Sequence, residues 1–224
     1  MDSYDVFIEI GRKKVFAGAL DWPGWSRGGR DEGSALQILF EYGSRYAQVM
    51  HAEDIKFQKP IDVSSFNVVE QHGGDSTTDF GAPSRVLDID KRTLERGEYE
   101  RLMQLLQACW GKFDLEVKRA AGRELRKGPH GGGRDLEKVI DHILDAEKAY
   151  LSRLAWKYSI NKGQDRVVEL RRMREAILDV LEASMRGEIP EKGPRGGVIW
   201  PARYFVRRTA WHVLDHAWEI EDRI

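Results

Sequence analysis

The sequence contains a single cysteine, Cys109, among its 224 residues. An internal disulfide bond needs two cysteines, and a cysteine-based zinc or iron–sulfur centre needs several, so all of these are excluded. No apolar run approaches the ~20 residues that a transmembrane helix requires. The first five residues, MDSYD, lack the basic and apolar regions of a signal peptide. We therefore expect a cytoplasmic protein without a membrane partner.

The chain also lacks a large net charge, because 36 Lys and Arg residues are balanced by 37 Asp and Glu residues. This balance excludes a wholly basic nucleic-acid coat and an acidic disordered tail. The charges are unevenly spread, however, with an acidic excess in residues 1–90 and a basic excess in residues 91–224. The apolar periodicity changes at the same place, so we predict two domains that meet at residues 90 and 91.

Residues 1–90 have the pattern of a small α/β module. Apolar residues alternate at Val6, Ile8 and Ile10, and a second apolar run over 15–20 follows a glycine-containing turn, which predicts a β-hairpin. A helical pattern begins at Asp31 and continues to about residue 50. The remaining predictions are loops over 21–30 and 71–83 and a strand over 65–70.

Residues 91–224 contain four stretches in which apolar side chains recur every three or four residues. These stretches begin at Tyr99, Leu136, Leu170 and Phe205. Four amphipathic helices without a strand pattern between them indicate a four-helix bundle. The whole chain is therefore predicted to have an α+β fold, with a small N-terminal module and a C-terminal bundle.

Three histidines are predicted to lie together inside this bundle. His212 and His216 are four residues apart on the last helix, so their side chains diverge by ~40° and lie ~6 Å apart along the axis. His142 lies on the inward face of the second helix. Neutral imidazoles are good ligands for divalent metals, and we expect zinc first and nickel second. The alternative is three unrelated core histidines, each bonded to a carbonyl or carboxylate oxygen.

The segment His-Ile-Leu-Asp-Ala-Glu that starts at His142, together with the His-x-x-x-His pair, resembles the DinB-like superfamily over residues 93–224. The resemblance implies an up-down-down-up bundle that binds a metal ion through His142, His212 and His216. The superfamily includes bacterial S-transferases that depend on mycothiol or bacillithiol. The N-terminal module resembles HicB-like domains through the segments over 19–24 and 29–36. That resemblance implies an accessory or interaction module without toxin neutralisation.

Three protein ligands leave at least one coordination position open, which is typical of catalytic metal sites. An open position can lower the pKa of a water molecule or keep a thiol deprotonated. We therefore expect a metal-dependent enzyme, and specifically a low-molecular-weight-thiol S-transferase. A metal-dependent hydrolase and a non-catalytic metal-binding or interaction protein are the alternatives. The third and least favoured hypothesis is an RNA-associated protein. We therefore do not expect nucleic acid as a partner.

Carboxylates near the histidines are candidates to accept the ring N–H that points away from the metal. They are Asp145, Asp215 and Glu219. Each of them also fits a solvated charge on a helix surface.

The motif Lys-Gly-Pro-x-Gly-Gly occurs twice, at Lys127 and at Lys192, each time before a histidine-bearing helix. Glycines let backbone N–H groups approach a ligand, and basic side chains attract anions. We therefore predict an anion-attracting rim formed by Lys127, Arg134, Lys192 and Arg195, which would bind a small thiol or another anionic substrate. The alternative is two ordinary helix–helix loops.

Two further expectations concern Cys109 and assembly. Cys109 falls on the apolar face of its helix, which favours a core residue over a nucleophile. Seven tryptophans are more than one small bundle usually buries, so we expect a homodimer.

Overall fold

A computed structural model describes residues 3–127, 133–193 and 196–224. Within these ranges the chain forms one four-stranded sheet and six α-helices, so the predicted α+β class is confirmed. The strands are β1 (Tyr4–Ile10), β2 (Val15–Ala19), β3 (Ser26–Gly29) and β4 (Phe66–Gly73). The helices are α1 (Glu32–His51), α2 (Ser76–Phe80), α3 (Arg96–Ala120), α4 (Leu136–Ser152), α5 (Arg166–Met185) and α6 (Ala202–Arg223).

The strands have the order β3-β2-β1-β4. β1 and β2 form the predicted antiparallel hairpin, with Val6 opposite Ala19, whereas β4 runs parallel to β1. The predicted loop over 21–30 is wrong where β3 lies, because the glycines of this strand give no apolar alternation and only pairing with β2 holds it. The predicted loop over 71–83 is also wrong in part, since it contains the end of β4 and the short helix α2.

Helix α1 covers one face of the sheet. It begins at Asp31, whose carboxylate accepts the backbone N–H of Ser34 as an N-cap. Beneath the helix, the buried Trp25 donates its indole N–H to the carbonyl of Leu39 at 2.9 Å and stacks on Tyr46 at 5.7 Å between ring centroids. An aromatic cluster therefore fixes α1 to the sheet.

The opposite face of the sheet packs against α6. The ring of Phe16 meets Trp211 edge-on, with 6.0 Å between ring centroids. Residues 83–90 run alongside the same helix, and the buried Asp90 accepts hydrogen bonds from the buried Arg207. These contacts hold the sheet and α6 together across a large separation in sequence.

A tight turn joins the N-terminal part to α3 and α6. Gly24 has φ +94°, and a Cβ at this position would lie 2.8 Å from Cδ1 of Leu214 and 3.1 Å from Sγ of Cys109. Glycine is required here both by the backbone conformation and by the close approach. Buried residues of both predicted domains belong to one continuous core. The boundary between residues 90 and 91 stays a prediction.

The four long helices predicted for residues 91–224 are confirmed as α3 to α6. Helices α4 and α6 are antiparallel. The backbone N–H of Trp200, just before α6, donates to the carbonyl of Arg153 at the end of α4, at 3.0 Å. At the other end, Arg223 donates to the carbonyl of Arg134 at 2.8 Å. The beginning of α4 is thereby placed beside the end of α6. Across the described ranges, none of the helices combines the length and apolar character needed to cross a bilayer.

Candidate metal centre

The antiparallel packing of α4 and α6 brings the three predicted histidines together. His142 lies in the second turn of α4, His212 lies at the middle of α6, and His216 lies one turn further along α6. One ring nitrogen from each residue lies within 4.8 Å of the other two. His212 and His216 are buried and His142 is half-buried. The three side chains therefore form one cluster whose nitrogens could hold a metal ion.

The separation between the ring nitrogens of His142 and His212 suits a single small ion. Nε2 of His142 lies 3.1 Å from Nε2 of His212. Two nitrogens bound to one tetrahedral ion with bonds of about 2.0–2.1 Å would lie about 3.3 Å apart. Little movement of either ring is therefore needed to accept the ion.

Glu219 sets the tautomer of His216. Nδ1 of His216 donates to Oε2 of Glu219 at 2.7 Å, and this hydrogen bond holds the pKa of the Glu219 carboxyl below its usual value. A carboxylate accepts a proton from Nδ1, so the lone pair of Nε2 stays available to a metal.

Burial keeps the other two rings neutral. It lowers the pKa of His212 well below its usual value and lowers the pKa of His142 as well. A neutral imidazole has one free lone pair, so each of these two rings can bind a metal cation at neutral pH.

Arg223 holds Glu219 and the chain segment before α4. Its Nη1 donates to Oε1 of Glu219 at 2.7 Å, and its other nitrogens donate to the carbonyls of Arg126 and Arg134, both at 2.8 Å. Gly133 leaves room for this guanidinium, because a Cβ there would lie 2.6 Å from Nη2. Sequence reasoning missed Arg223, although its position four residues after Glu219 was a usable signal.

The other two predicted carboxylates do not contact the histidines. Asp215 forms an ion pair with Arg27 at 2.8 Å, and it therefore ties α6 to β3. Asp145 is exposed and makes no hydrogen bond to a histidine within the part of the chain that the structure describes. Of the three candidates, only Glu219 supports a ligand ring directly.

The predicted basic rim is divided between two ends of the bundle. Arg134 is exposed close to the histidines, and its charge contributes to the lowered pKa of both His142 and His212. Lys127 is exposed on the same segment. Lys192 precedes α6, whose first residue is about 15 Å along the helix axis from His212. The structure therefore places Lys192 away from the cluster, and Arg195 lies outside the described residues.

An aromatic and cationic wall that the sequence did not indicate lies beside His212. The rings of Tyr150 and Trp211 have centroids 5.9 Å and 6.0 Å from that of His212. The guanidinium of Arg208 lies over both, at 5.7 Å from the Tyr150 ring and 4.9 Å from the Trp211 ring. Tyr150 could have been found from its position eight residues after His142, on the same face of α4.

Cys109 is fully buried, as its position on the apolar face predicted. Burial raises the pKa of its thiol, so the sulfur stays protonated at neutral pH. A buried thiol of this kind packs as a small apolar side chain and has no role at the histidine cluster.

A second ionisable group on α4, Glu147, is buried in the core. It accepts a hydrogen bond from the indole N–H of Trp110 at 3.1 Å, and its Oε2 has no hydrogen-bond partner among the described residues. Burial raises the pKa of this carboxyl to about 7. Arg174 lies near enough to oppose the rise, but it is paired with Asp114 at 2.7 Å.

We expect Glu147→Gln to gain stability over the unaltered chain as the pH rises. An unfolded glutamate ionises near pH 4.3, whereas the folded one holds its proton to about 7, so ionisation opposes folding between these values. The free energy of unfolding of the variant, relative to the unaltered chain, should increase by about 2–3 kcal/mol between pH 5 and pH 8. Urea unfolding at each pH measures this difference. The exposed Glu175→Gln is the control, and an equal pH dependence in both variants would contradict the expectation.

Comparisons with known proteins found no protein-family model, curated protein or solved structure that matches this chain. A function for the cluster therefore has to be argued from its own residues.

Proposed function

We propose that the chain is a metal-dependent enzyme in which His142, His212 and His216 hold one divalent ion, zinc in preference to nickel. The observation that supports this is the convergence of three imidazole nitrogens within 4.8 Å on two antiparallel helices. In this proposal residues 91–224 are a DinB-like bundle and residues 1–90 are a HicB-like accessory module. The reaction is the transfer of a low-molecular-weight thiol to an electrophile.

A bound divalent ion would supply Lewis acidity, which keeps a thiol deprotonated at neutral pH. Three protein ligands leave room for a fourth group. Glu219 keeps Nδ1 of His216 protonated and its Nε2 free, and Arg223 fixes Glu219. Arg134 offers positive charge to a carboxylate of the thiol. The ring of Tyr150 packs beside His212, where it would reduce the access of water to a bound thiol.

An assay with mycothiol or bacillithiol and chlorodinitrobenzene tests the proposal. The thiol loses its proton to solvent, its sulfur bonds to the ring carbon, and chloride leaves. We expect turnover by the zinc-loaded protein and none after chelation or in His142→Ala. Ester hydrolysis without a thiol would instead indicate a hydrolase, and metal binding without turnover would indicate a non-catalytic protein. Either result would overturn the transferase proposal.

Reversing the charge on the segment before α4 tests the role of its basic residues. We expect Lys127→Glu with Arg134→Glu to raise KM for bacillithiol, which carries carboxylates, about tenfold, because each change replaces an attraction for a carboxylate by a repulsion. Zinc content should stay the same. Lys192→Glu is the matched control, since this lysine belongs to the second copy of the motif at the other end of α6. An equal rise in KM in the control would show that only overall charge matters.

We also propose that the chain forms a homodimer. Four of the seven tryptophans are buried within one chain, so the number of tryptophans does not by itself support a dimer. The support comes from β4, whose outer edge has no partner strand in the described part of the chain and which exposes Val68 and Val69. Unpaired edge strands are common pairing sites. Light scattering at micromolar concentration should give about twice the chain mass of 25.7 kDa, and Val69→Lys should halve it. A monomer mass for the unaltered chain would contradict the proposal.

A further inference from the structure

A second candidate site lies on the side of α6 that faces the sheet. It is a cavity of about 630 Å³ between the β1–β2 turn, β3 and α6, here called the sheet–α6 cavity. Phe16 and Trp211 form its apolar wall. Its size falls within the range of small-molecule sites, about 300–1,000 Å³. The neighbouring His212 belongs to the cluster shared with α4, so the cavity does not contain the histidines.

The lining of the sheet–α6 cavity has an excess of positive charge. Lys13, Lys14 and Arg30 line it, and none of their cationic groups forms an ion pair within the ranges that the structure describes. Asp215 is the one carboxylate among the lining residues, and it is already paired with Arg27 at 2.8 Å. Three exposed cations that form no direct ion pair among the described residues therefore line one concave surface. Clustered uncompensated charge of one sign attracts ligands of the other sign.

The walls of the cavity are held in place by specific contacts. The backbone N–H of Lys13 donates to Asp79 at 2.8 Å, which fixes the β1–β2 turn to α2. Nζ of Lys14 lies beside Gly81, since a Cβ there would be 2.9 Å from it. At Gly28 a Cβ would lie 3.1 Å from the ring of Phe16, so the glycine lets this ring lie against β3. The lysines and the aromatic wall are therefore attached to ordered elements.

We propose that the sheet–α6 cavity binds a small aromatic anion. Its carboxylate, sulfonate or phosphate group would lie among Lys13, Lys14 and Arg30, and its ring would pack against Phe16 and Trp211. The aromatic wall favours a flat apolar body, and the unpaired cations favour a negative group. The proposal needs no metal ion and does not depend on the proposed function.

Fluorescence titration with anilinonaphthalene sulfonate tests this site in the full chain, in the presence of a chelator. This probe joins an aromatic body to a sulfonate, and the uncharged phenylnaphthylamine is its matched analogue without the negative charge. We expect one sulfonate probe to bind per chain. Replacing Lys13→Glu together with Lys14→Glu should raise the Kd of the sulfonate about tenfold, because two attractions become repulsions. The Kd of the uncharged analogue should change less than about twofold.

Two further variants locate the binding. Arg12→Glu reverses an exposed charge in the same turn that does not line the cavity, so it should leave the Kd unchanged. Energy transfer from tryptophan to the bound probe should fall in Trp211→Phe, because the nearest of the seven tryptophans is removed. An equal Kd in the double lysine variant and the unaltered chain would overturn the proposal. A rise in the Kd of Arg12→Glu equal to that of the double lysine variant would also overturn it, since the attraction would then come from surface charge alone. The double lysine variant and Arg12→Glu both retain the three histidines. A change in their probe binding can therefore be distinguished from a failure of zinc binding.

Discussion

Replacing His212 by alanine is expected to abolish stoichiometric binding of a divalent ion. His212 contacts both other rings of the cluster, with ring centroids 5.0 Å from His142 and 4.8 Å from His216. Removing its nitrogen leaves two ligands on different helices. Loss of a supporting outer partner alone costs about 10–100-fold in metal affinity, so loss of a ligand should exceed that range. Calorimetric titration with zinc and elemental analysis of the purified protein measure the effect.

His212 is buried, so its replacement also tests folding. His212→Gln keeps most of the side-chain volume, and it should lose zinc binding while retaining the helical content of the unaltered chain. His72→Ala is the control, because this histidine lies on β4 and pairs with Glu70. Glu219→Gln should weaken zinc binding by about 10–100-fold without abolishing it. Full zinc occupancy in a chain that lacks His142, His212 and His216 would show that the metal binds elsewhere.

Breaking the ion pair between Asp90 and Arg207 is expected to cost about 3–5 kcal/mol in the free energy of unfolding. Both side chains are buried, and Asp90 also accepts the backbone N–H of Leu87 at 2.7 Å. In Asp90→Ala the guanidinium would stay buried without its carboxylate, which is the costly outcome. The pair fixes residues 83–90 to α6, so its loss should loosen the packing of the sheet against that helix.

A neighbouring surface pair provides the control for this experiment. Asp88 is exposed and pairs with Lys91 at 2.7 Å, so Asp88→Ala should cost far less stability than Asp90→Ala. Urea unfolding of both variants measures the difference. Replacing both partners, as Asp90→Leu with Arg207→Met, should recover much of the loss because no buried charge remains unpaired. A similar cost for Asp90→Ala and Asp88→Ala would contradict the expectation.

Local spacing made the histidine cluster predictable. A separation of four residues places His212 and His216 on one face of any helix, and the apolar pattern around His142 pointed it inward. The same rule could not separate Asp215 from Glu219, because both are close in sequence to the histidines. Only the tertiary structure places Arg27 next to Asp215 and leaves Glu219 against His216.

The positions of the two glycine-rich motifs, in contrast, could not be predicted from the sequence. The two copies are alike in sequence, at Lys127 and at Lys192, and each precedes a histidine-bearing helix. Because α4 and α6 are antiparallel, Lys127 of the first copy follows Arg126, which pairs with the end of α6, whereas Lys192 of the second copy precedes the start of α6. The direction of a helix in a bundle depends on packing between distant segments, so it cannot be predicted from a local motif.

By itself, the sequence determined the four helices of residues 91–224, the β1–β2 hairpin, and the face on which each histidine lies. These features follow from periodicity, which acts within one turn of helix or one strand. The tertiary structure alone decided the pairing of the glycine-rich β3, the role of Arg223, and the sheet–α6 cavity between Lys13 and Trp211. Each of these depends on residues that are far apart in the chain and meet only when the whole core is packed.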